Sequence, residues 1–587
     1  MQTRSRYCRE FFPVTNAEIA AVFEQIADLL EFQGANPFRV RAYRTAARTI
    51  AELTEPIAQL VKSEGKDLTE LSGIGTDLAE KIATLVNTGT LPLLEELKGQ
   101  VPESVLTLLR VPGLGPKRAA ALYKKLQIST LEDLRQACLE HRVRELEGFG
   151  AKTEENILKG IEAAIQAGQR ILWYEADQIV QALRDHLKGT PGLRRLEPAG
   201  SYRRGKDTVG DLDFLALADD PTPVMDQLAA FRGVKSILAR GDTKMSIVLQ
   251  TGVQVDLRVV PAESFGAALQ YFTGSKEHNV ILRGMAKDRG LKINEYGVFR
   301  GEERIAGSEE ADVYATLDLP WFPPELREGR KEFEWAANGR LPDLVTLEDI
   351  RGDLHMHSTW SDGIATIEEM AEAAHALGYQ YIAITDHSQR VTVANGLNAE
   401  RLLAQWQAID RLPKKWRNFH ILKGIEVDIL EAGGLDLPDE ILREADWVVA
   451  SVHFGQNQPR EQITRRMIEA LQNPYVCAIA HPTGRLLLER PAYEVDLDAV
   501  LRAARDYGKM MELNAHPRRL DLDDVACAAA KAYGVPIVIS TDAHSINGLD
   551  AMRYGILQAR RGGLTKRDVV NTRSWRDLKK LLPKYRK

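Results

Sequence analysis

The sequence predicts a multidomain α/β protein with three successive textures: a helical N-terminal region, a mixed β-sheet with helices, and a C-terminal barrel of repeated strand–helix units. Three observations predict it. Residues 16 to about 165 carry apolar side chains at helical spacing, as in Ile19, Val22, Phe23, Ile26 and Leu30, broken by short glycine turns. From about residue 196, FLAL, SIVLQ and VQVDLRVVP read as short strands with alternating burial. After residue 351, seven apolar runs (GDLHMH, YIAITDH, FHILKGIEVDI, WVVASVHF, VCAIAHP, KMMELNA, VPIVISTDAH) alternate with helical stretches, the pattern of parallel strands in a barrel. The Pro/Trp-rich LPWFPPELREGR (319–330) and the charged passage to about 350 mark a lobe boundary or linker.

Composition narrows the function classes. At 587 residues and roughly 150 residues per domain, the chain holds about four domains. It is 44% hydrophobic and 27% charged, which excludes disorder and fibrous repeats. The net charge of −6 leaves no global basic surface, so a nucleic-acid partner needs local basic patches and metal ions. No apolar stretch approaches a membrane span, and no apolar core follows Arg4, Arg6 and Arg9, so neither a transmembrane helix nor a signal peptide is expected. Cys8, Cys138, Cys477 and Cys527 lie too far apart for a zinc knuckle or a disulfide framework. A soluble cytoplasmic protein is expected.

The helical region contains two segments of one plan, LSGIGTDLAEKI (71–82) and VPGLGPKRAAALYKKL (111–126), and a looser third copy, LEGFGAKTEENIL (146–158). Each places Gly-apolar-Gly before a helix, a helix–hairpin–helix arrangement. The glycines allow a tight turn, and the free N–H groups that follow can hold a DNA phosphate without reading bases. Gly73, Gly75, Gly113, Gly115 and Lys117 are the candidate contacts. A single copy is equally well a plain helix connection; the tandem favours backbone binding.

In AGSYRRGKDTVGDLDFLAL (199–217), Asp211 and Asp213 are two apart, so on a strand both face one side. Asp256, in VQVDLRVV, lies on a strand able to pair beside the first. Carboxylates held that close repel unless a divalent cation lies between them, and three oxygen donors suit Mg²⁺ with positions left for phosphates. Gly200, Ser201 and Arg204 offer a turn, a hydroxyl and charged donors for a triphosphate. The physical reading is a two-metal site, with ions about 3.5–4 Å apart, for phosphoryl chemistry.

This constellation resembles the family X DNA polymerases of the nucleotidyltransferase superfamily, through Gly200-Ser201, Arg204, Gly210-Asp211-x-Asp213 and Asp256. The resemblance continues through YFTGSKEHNVILRGMAKDRGLKINEYGVF (271–299) and spans about residues 16–325. It implies that Asp211 and Asp213 bind both metals, while Asp256 binds the catalytic metal and helps activate the primer 3′-hydroxyl. It further implies that Ser201 and Arg204 hold the β- and γ-phosphates and that Tyr271, Phe272, Thr273 and Gly274 contact the sugar. Asn279 and Arg283 fall where the family touches the nascent base pair or template. Two residues depart from the pattern. Lys276 stands where eukaryotic repair members often carry an acid. The first hairpin resembles the family's deoxyribose-phosphate lyase module with Lys81 at the Schiff-base position, but Asp77 replaces a lysine there, and a nearby acid raises the amine's pKa. Lys81 therefore reads as a surface lysine of a DNA-binding helix.

The C-terminal region gathers His355, His357, Asp362, His387, Glu426, His453, His481, Asp542 and His544, six of the chain's 12 histidines among them. Six of the seven predicted strands end in at least one of these residues, so all nine converge on the C-terminal mouth of the barrel. Mixed imidazole and carboxylate donors suit Zn²⁺ or Mn²⁺ better than Mg²⁺. The pattern is similar to the PHP (polymerase and histidinol phosphatase) domain over about residues 351–575, with every ligand position occupied. That resemblance implies a trinuclear centre in a distorted seven-stranded barrel, active as a phosphoesterase. Glu512 and His516 lie outside the ligand set and are left as pocket-lining or packing residues.

A family X polymerase followed by a PHP domain is the arrangement of bacterial and archaeal members of the family. The expected domains are a lyase-like hairpin domain (1–95), a second hairpin subdomain (96–168), a nucleotidyltransferase palm (169–262), a nascent-base-pair subdomain (263–325), a linker (326–350) and the PHP domain (351–587). The expected function is gap-filling DNA synthesis in repair from deoxynucleoside triphosphates, on gapped, nicked or primer–template DNA. It uses two Mg²⁺ or Mn²⁺ ions at the palm. Up to three Mn²⁺ or Zn²⁺ ions serve a 3′–5′ exonuclease, with abasic-site endonuclease or 3′-phosphate removal as further activities of that centre. A polymerase fused to a small-molecule phosphatase, and a non-catalytic bridge between DNA ends, are the alternatives. A monomer is the default, since no coiled-coil seam is evident.

Overall fold

A computed structural model of the chain describes residues 16–52, 57–62, 68–71, 73–88, 90–101, 108, 111, 114–167, 170–413 and 416–585. It forms two compact units, residues 1–169 and 170–587. Among the described residues no helix is long and apolar enough to cross a membrane. Cys138, Cys477 and Cys527 are buried free thiols, and Cys8 lies outside the described residues.

The first unit is helical. Ile19, Phe23, Ile26 and Leu30 form one face of the helix Asn16–Gln33 and are buried against Tyr43, Ala46, Ala47 and Ile50 of the helix Pro37–Glu52. That face is the 3.6-residue period read from the sequence. The hairpins repeat one hydrogen-bond pattern three times. Backbone N–H groups of Leu71, Val111 and Leu146 donate to the carbonyls of Leu68, Leu108 and Val143. Ile74, Leu114 and Phe149 then donate to Leu71, Val111 and Leu146, and Ala79, Ala119 and Glu154 donate to Gly75, Gly115 and Gly150. The third copy, looser in sequence, makes the same bonds as the other two.

The second unit opens with a five-stranded mixed sheet in the order Leu193–Pro198, Asp211–Ala218, Gln254–Val260, Lys244–Leu249, Val234–Arg240. Only the second and third of these strands run parallel, in a register that sets Asp213 opposite Asp256. Leu212, Phe214 and Ala216 alternate into one core with Val180, Leu183 and Val224, while Leu215 packs on Phe265, Ala268 and Leu269 of the helix Phe265–Thr273. A small antiparallel sheet follows, Lys292–Asn294, Gly297–Arg300 and Glu303–Ala306.

Residues 326–350, expected as a linker, are packed rather than free. Glu332 is buried and accepts bonds from Gly329 N (2.6 Å) and His278 Nδ1 (3.0 Å), and Val345 N donates to Leu564 O (3.0 Å). The connection is anchored by such bonds near both ends, while residues 337–340 are exposed.

The seven C-terminal strands are all parallel and pair in chain order: Gly352–Met356, Tyr381–Ile384, His420–Asp428, Trp447–Ser451, Ala478–Ile479, Met510–Asn514 and Ile537–Ser540. Asp542 N to His355 O (3.0 Å) and His357 N to Ala543 O (2.8 Å) tie the last strand end to the first. Leu354, Ala383, Leu422, Trp447, Val449 and Val538 fill the barrel, and Val570, Leu578 and Leu582 of the C-terminal segment join that core. Surrounding helices start on side-chain caps such as Thr366, Asn398, Asp496 and Asp523, each accepting a backbone N–H of the first turn.

Candidate active sites

The parallel pairing of two strands builds the first site. Asp211 and Asp213 project from one face of their strand, and Asp256 joins Asp213 across the register. Burial, then the charges of Asp211 and Asp256, push the Asp213 carboxyl up to about 7. Asp256 accepts from Gln254 Nε2 (3.0 Å) and Ser246 Oγ, with Lys244 Nζ 3.5 Å away. Gly210 precedes Asp211, and Ala199 N donates to Asp213 O (2.8 Å), fixing the Gly200 turn over the carboxylates. Gly200 has φ +62°, and a Cβ there would fall 2.5 Å from Asp213 Oδ2. Three converging acids, one with its ionisation opposed by the others, fit a divalent-cation site.

Ser201 and Arg204 flank this turn. Arg204 donates from Nε to Glu328 Oε1 (3.0 Å) and from Nη1 to Thr273 O (2.5 Å), and a Cβ on Gly274 would lie 3.3 Å from Nη1. The Gly200 turn and the Thr273–Gly274 helix end therefore meet at one guanidinium. Tyr271 and Phe272 pack edge to face, with Arg258 over the Phe272 ring. Asn279 is buried, donating to Tyr271 O (2.8 Å) and accepting from Gln270 Nε2 (2.7 Å), while Arg283 is exposed one helical turn on.

In the helical unit, Gly73 (φ +76°) forms the first hairpin turn, Gly75 and Gly115 supply the first helical carbonyls, and Lys117 is exposed in the first turn of Pro116–Leu126. Gly113 lies outside the described residues. Lys81 Nζ pairs with Asp77 one turn earlier.

The barrel mouth brings the nine predicted ligands together. Glu426 is central: His387 Nδ1 lies 2.7 Å from Oε2, His481 Nε2 2.9 Å and His453 Nε2 3.4 Å from Oε1, and His355 Nε2 3.6 Å from Oε2. Asp542 Oδ1 lies 3.1 Å from His357 Nε2, and Asp362 Oδ2 lies 3.4 Å from His544 Nε2 and 3.6 Å from His387 Nε2. Ligand atoms form three overlapping groups: His357, Asp362, His387 and His544; His355, His357 and Asp542; His387, Glu426 and His453. His355 Nε2, His387 Nδ1 and Glu426 Oε2 are buried without a hydrogen bond, despite their close approach. Buried polar atoms aimed at a common point and left unpaired are what metal ligands present. Burial alone would lower the His387 imidazole, but Glu426 and Asp362 outweigh it and raise it to about 10, whereas burial and the neighbouring His544 and His387 depress His357 to about 4. Asp542 and His481 adopt φ +55° and +28°, a strained backbone that turns both side chains at strand ends.

Several residues that sequence reasoning left unassigned complete the centre. Glu512 accepts from His355 Nδ1 (2.6 Å) and His481 N (2.6 Å). Asp428 faces His453 Nδ1 (3.1 Å), and Asn514 Nδ2 donates to Asp542 Oδ2 (3.0 Å). From behind, Glu512 and Asp428 orient the His355 and His453 rings, and Asn514 orients the Asp542 carboxylate. The available signal was an acid or amide inside an otherwise apolar strand, as in KMMELNA and KGIEVDI. His516 packs beside this set, its Nδ1 accepting from Arg518 N (3.3 Å).

Four segments match known families: residues 14–91 the helix-hairpin-helix domain, 105–163 the SAM-like helix-hairpin-helix tandem, 268–328 the DNA polymerase beta thumb and 353–516 the PHP domain. Over 570 residues, 96% of this chain and 99% of the relative, the sequence is 43% identical to "DNA polymerase/3'-5' exonuclease PolX" of Bacillus subtilis (strain 168). It is 27% identical over 345 residues, 53% of this chain and 56% of the relative, to "DNA polymerase lambda" of Rattus norvegicus. A 234-residue stretch, 38% of this chain and 89% of the relative, is 36% identical to a "Probable phosphatase" of Thermoanaerobacter sp. (strain X514).

Proposed function

The chain belongs to the PolX family of DNA polymerase/3′–5′ exonucleases, and on that premise we propose that it fills gaps during DNA repair and trims 3′ ends with its C-terminal lobe. The observation that carries the polymerase half is the Asp213–Asp256 register, with the Asp213 carboxyl pushed up to about 7 by burial and its two acidic neighbours. In this reading Asp211, Asp213 and Asp256 hold two Mg²⁺ or Mn²⁺ ions. Ser201 and Arg204 hold the β- and γ-phosphates, and Tyr271 to Gly274 pack beside the sugar. Asp256 binds the catalytic metal and helps activate the primer 3′-hydroxyl. Arg283 faces the template, and Asn279 reaches a base pair only by releasing Gln270 or the Tyr271 carbonyl. The hairpin glycines and Lys117 hold backbone phosphates.

In the C-terminal lobe the nine ligands hold Mn²⁺ or Zn²⁺, up to three ions. Divalent ions there supply a nucleophile at neutral pH and offset charge on a phosphodiester. Glu512 and Asp428 keep the His355 and His453 rings aimed at the centre. We read the protein as a monomer acting on DNA in the cytoplasm.

The test is a labelled one-nucleotide gapped duplex with and without nucleotides, in Mg²⁺ or Mn²⁺. Asp211→Ala with Asp213→Ala is expected to abolish extension and spare degradation, and His355→Ala with His357→Ala to do the reverse. Loss of both activities in either folded double mutant contradicts two independent sites. The match to a probable phosphatase favours a second reading of the C-terminal lobe, as a phosphomonoesterase. Turnover of small phosphomonoesters without cleavage of single-stranded DNA would support that reading instead.

A further inference from the structure

The turn that carries Arg204 is held from outside the palm. Arg561, at the end of the C-terminal helix Met552–Arg561, donates from Nη1 to Arg204 O (2.7 Å) and to Glu328 Oε1 (2.9 Å), and from Nη2 to Asp524 Oδ2 (2.6 Å). Glu328 is the same carboxylate that receives Arg204 Nε (3.0 Å), with Lys206 Nζ at 3.5 Å. Arg561 and Glu328 are buried, with side chains 2% and 8% exposed, so water cannot replace either partner. On the same helix, Leu557 fills the space in front of Gly205 (φ +68°), where a Cβ would lie 2.5 Å from Leu557 Cγ. Arg485 of the same lobe reaches Asp207 (3.2 Å). Three side chains of the phosphoesterase lobe thus grip residues 204–207 of the palm, immediately after the Gly200–Arg203 helix.

We propose that the C-terminal lobe is a structural part of the nucleotide site, with Arg561 as a positioning residue that presents Arg204 to the triphosphate through Glu328 and the Arg204 carbonyl. Glu328 holds one edge of the Arg204 guanidinium and Thr273 O another. Arg561 shares the Glu328 charge, so that this acid orients Arg204 without neutralising the pocket alone. The inference rests on the phosphate-binding role proposed for Arg204.

The experiment is steady-state single-nucleotide gap filling by the full-length protein, with nuclease rate and DNA affinity measured in parallel. Arg561→Met, which keeps the aliphatic stem, is expected to raise KM for the deoxynucleoside triphosphate about tenfold, the scale of a lost charge-assisted hydrogen bond, with kcat, DNA affinity and nuclease rate unchanged. Arg561→Lys is expected to recover part of the KM. Should Arg561→Met fail to fold, Leu557→Ala loosens the same turn without removing a charge and is expected to raise KM in the same direction. Arg204→Ala serves as the reference. If Arg204→Ala leaves KM unaltered, the phosphate role itself falls. If Arg204→Ala raises KM but neither Arg561→Met nor Leu557→Ala does, or if nuclease rate and DNA affinity fall as KM rises, the positioning role is overturned.

Discussion

Asp213 lies at the point where chemistry and stability oppose each other. Its carboxyl is raised from 3.8 to about 7, so the folded state binds this proton more tightly than the unfolded chain does. Stability therefore falls as pH rises from about 4 towards 7, and the full cost remains above that range. In chelator-treated protein, Asp213→Asn is expected to be more stable than the unsubstituted chain at pH 8, by roughly 1–3 kcal/mol, and so to melt at a higher temperature, with the gap closing below about pH 4 and extension abolished throughout. Thermal unfolding across that pH series checks it. A destabilised Asp213→Asn at pH 8 would show that the acids do not strain the fold. At the other centre, Glu512 touches His355 and the His481 backbone but is not itself among the grouped ligand atoms. Glu512→Gln is expected to weaken metal retention by about 10–100-fold with the barrel still folded, read as metal content after dialysis against graded chelator.

Among the elements, the three hairpins share one bonding pattern but not one chemistry. In the third copy, the position that is Ala79 and Ala119 in the others is Glu154, which accepts from Arg144 N (2.9 Å) and Arg144 Nε (2.7 Å) and lies near His141. An acid at the helix start competes with phosphate for those donors, so the first two copies are expected to hold phosphate better than the third. The first hairpin also carries Lys81, whose amine is engaged by Asp77 one turn earlier rather than free to attack an aldehyde. Borohydride is expected to trap no covalent adduct between the protein and an incised abasic-site duplex, and Asp77→Asn is the variant in which trapping should first emerge. An adduct in the unsubstituted protein that is lost in Lys81→Ala would refute this.

At the scale of the molecule, the palm and the phosphoesterase lobe share one compact unit, with 326–350 folded into it rather than tethering two bodies. Arg330 to Asp524 (3.1 Å), Arg560 to Glu325 (2.7 Å) and Arg553 to Asp177 (3.5 Å) join the lobes, alongside the Trp173–Tyr554 aromatic contact. Glu328, despite burial, is held down at about 2 by Arg561, Arg204 and Lys206. Its carboxylate thus keeps the junction charged and paired over the whole working pH range, and the contribution is lost only as pH falls below its ordinary 4.5 towards 2. The junction ties the Arg204 turn to the end of the helix Met552–Arg561 through buried, charged partners.

What is local in the chain can be read from its residues alone. Gly-apolar-Gly before a helix, Asp211 and Asp213 two apart on a strand, and ligands at six of seven strand ends are each readable within a few residues, because period and turn chemistry act at that range. Only the tertiary structure decided which distant groups support them. Glu512 meets His355 across 157 positions, and Glu328 meets Arg561 across 233. Glu328 looks like an ordinary charge in its own segment, and Glu512, an acid inside an apolar strand, stands out there without revealing its partner. Each acquires a role because barrel closure or lobe packing removes water and leaves one partner within reach.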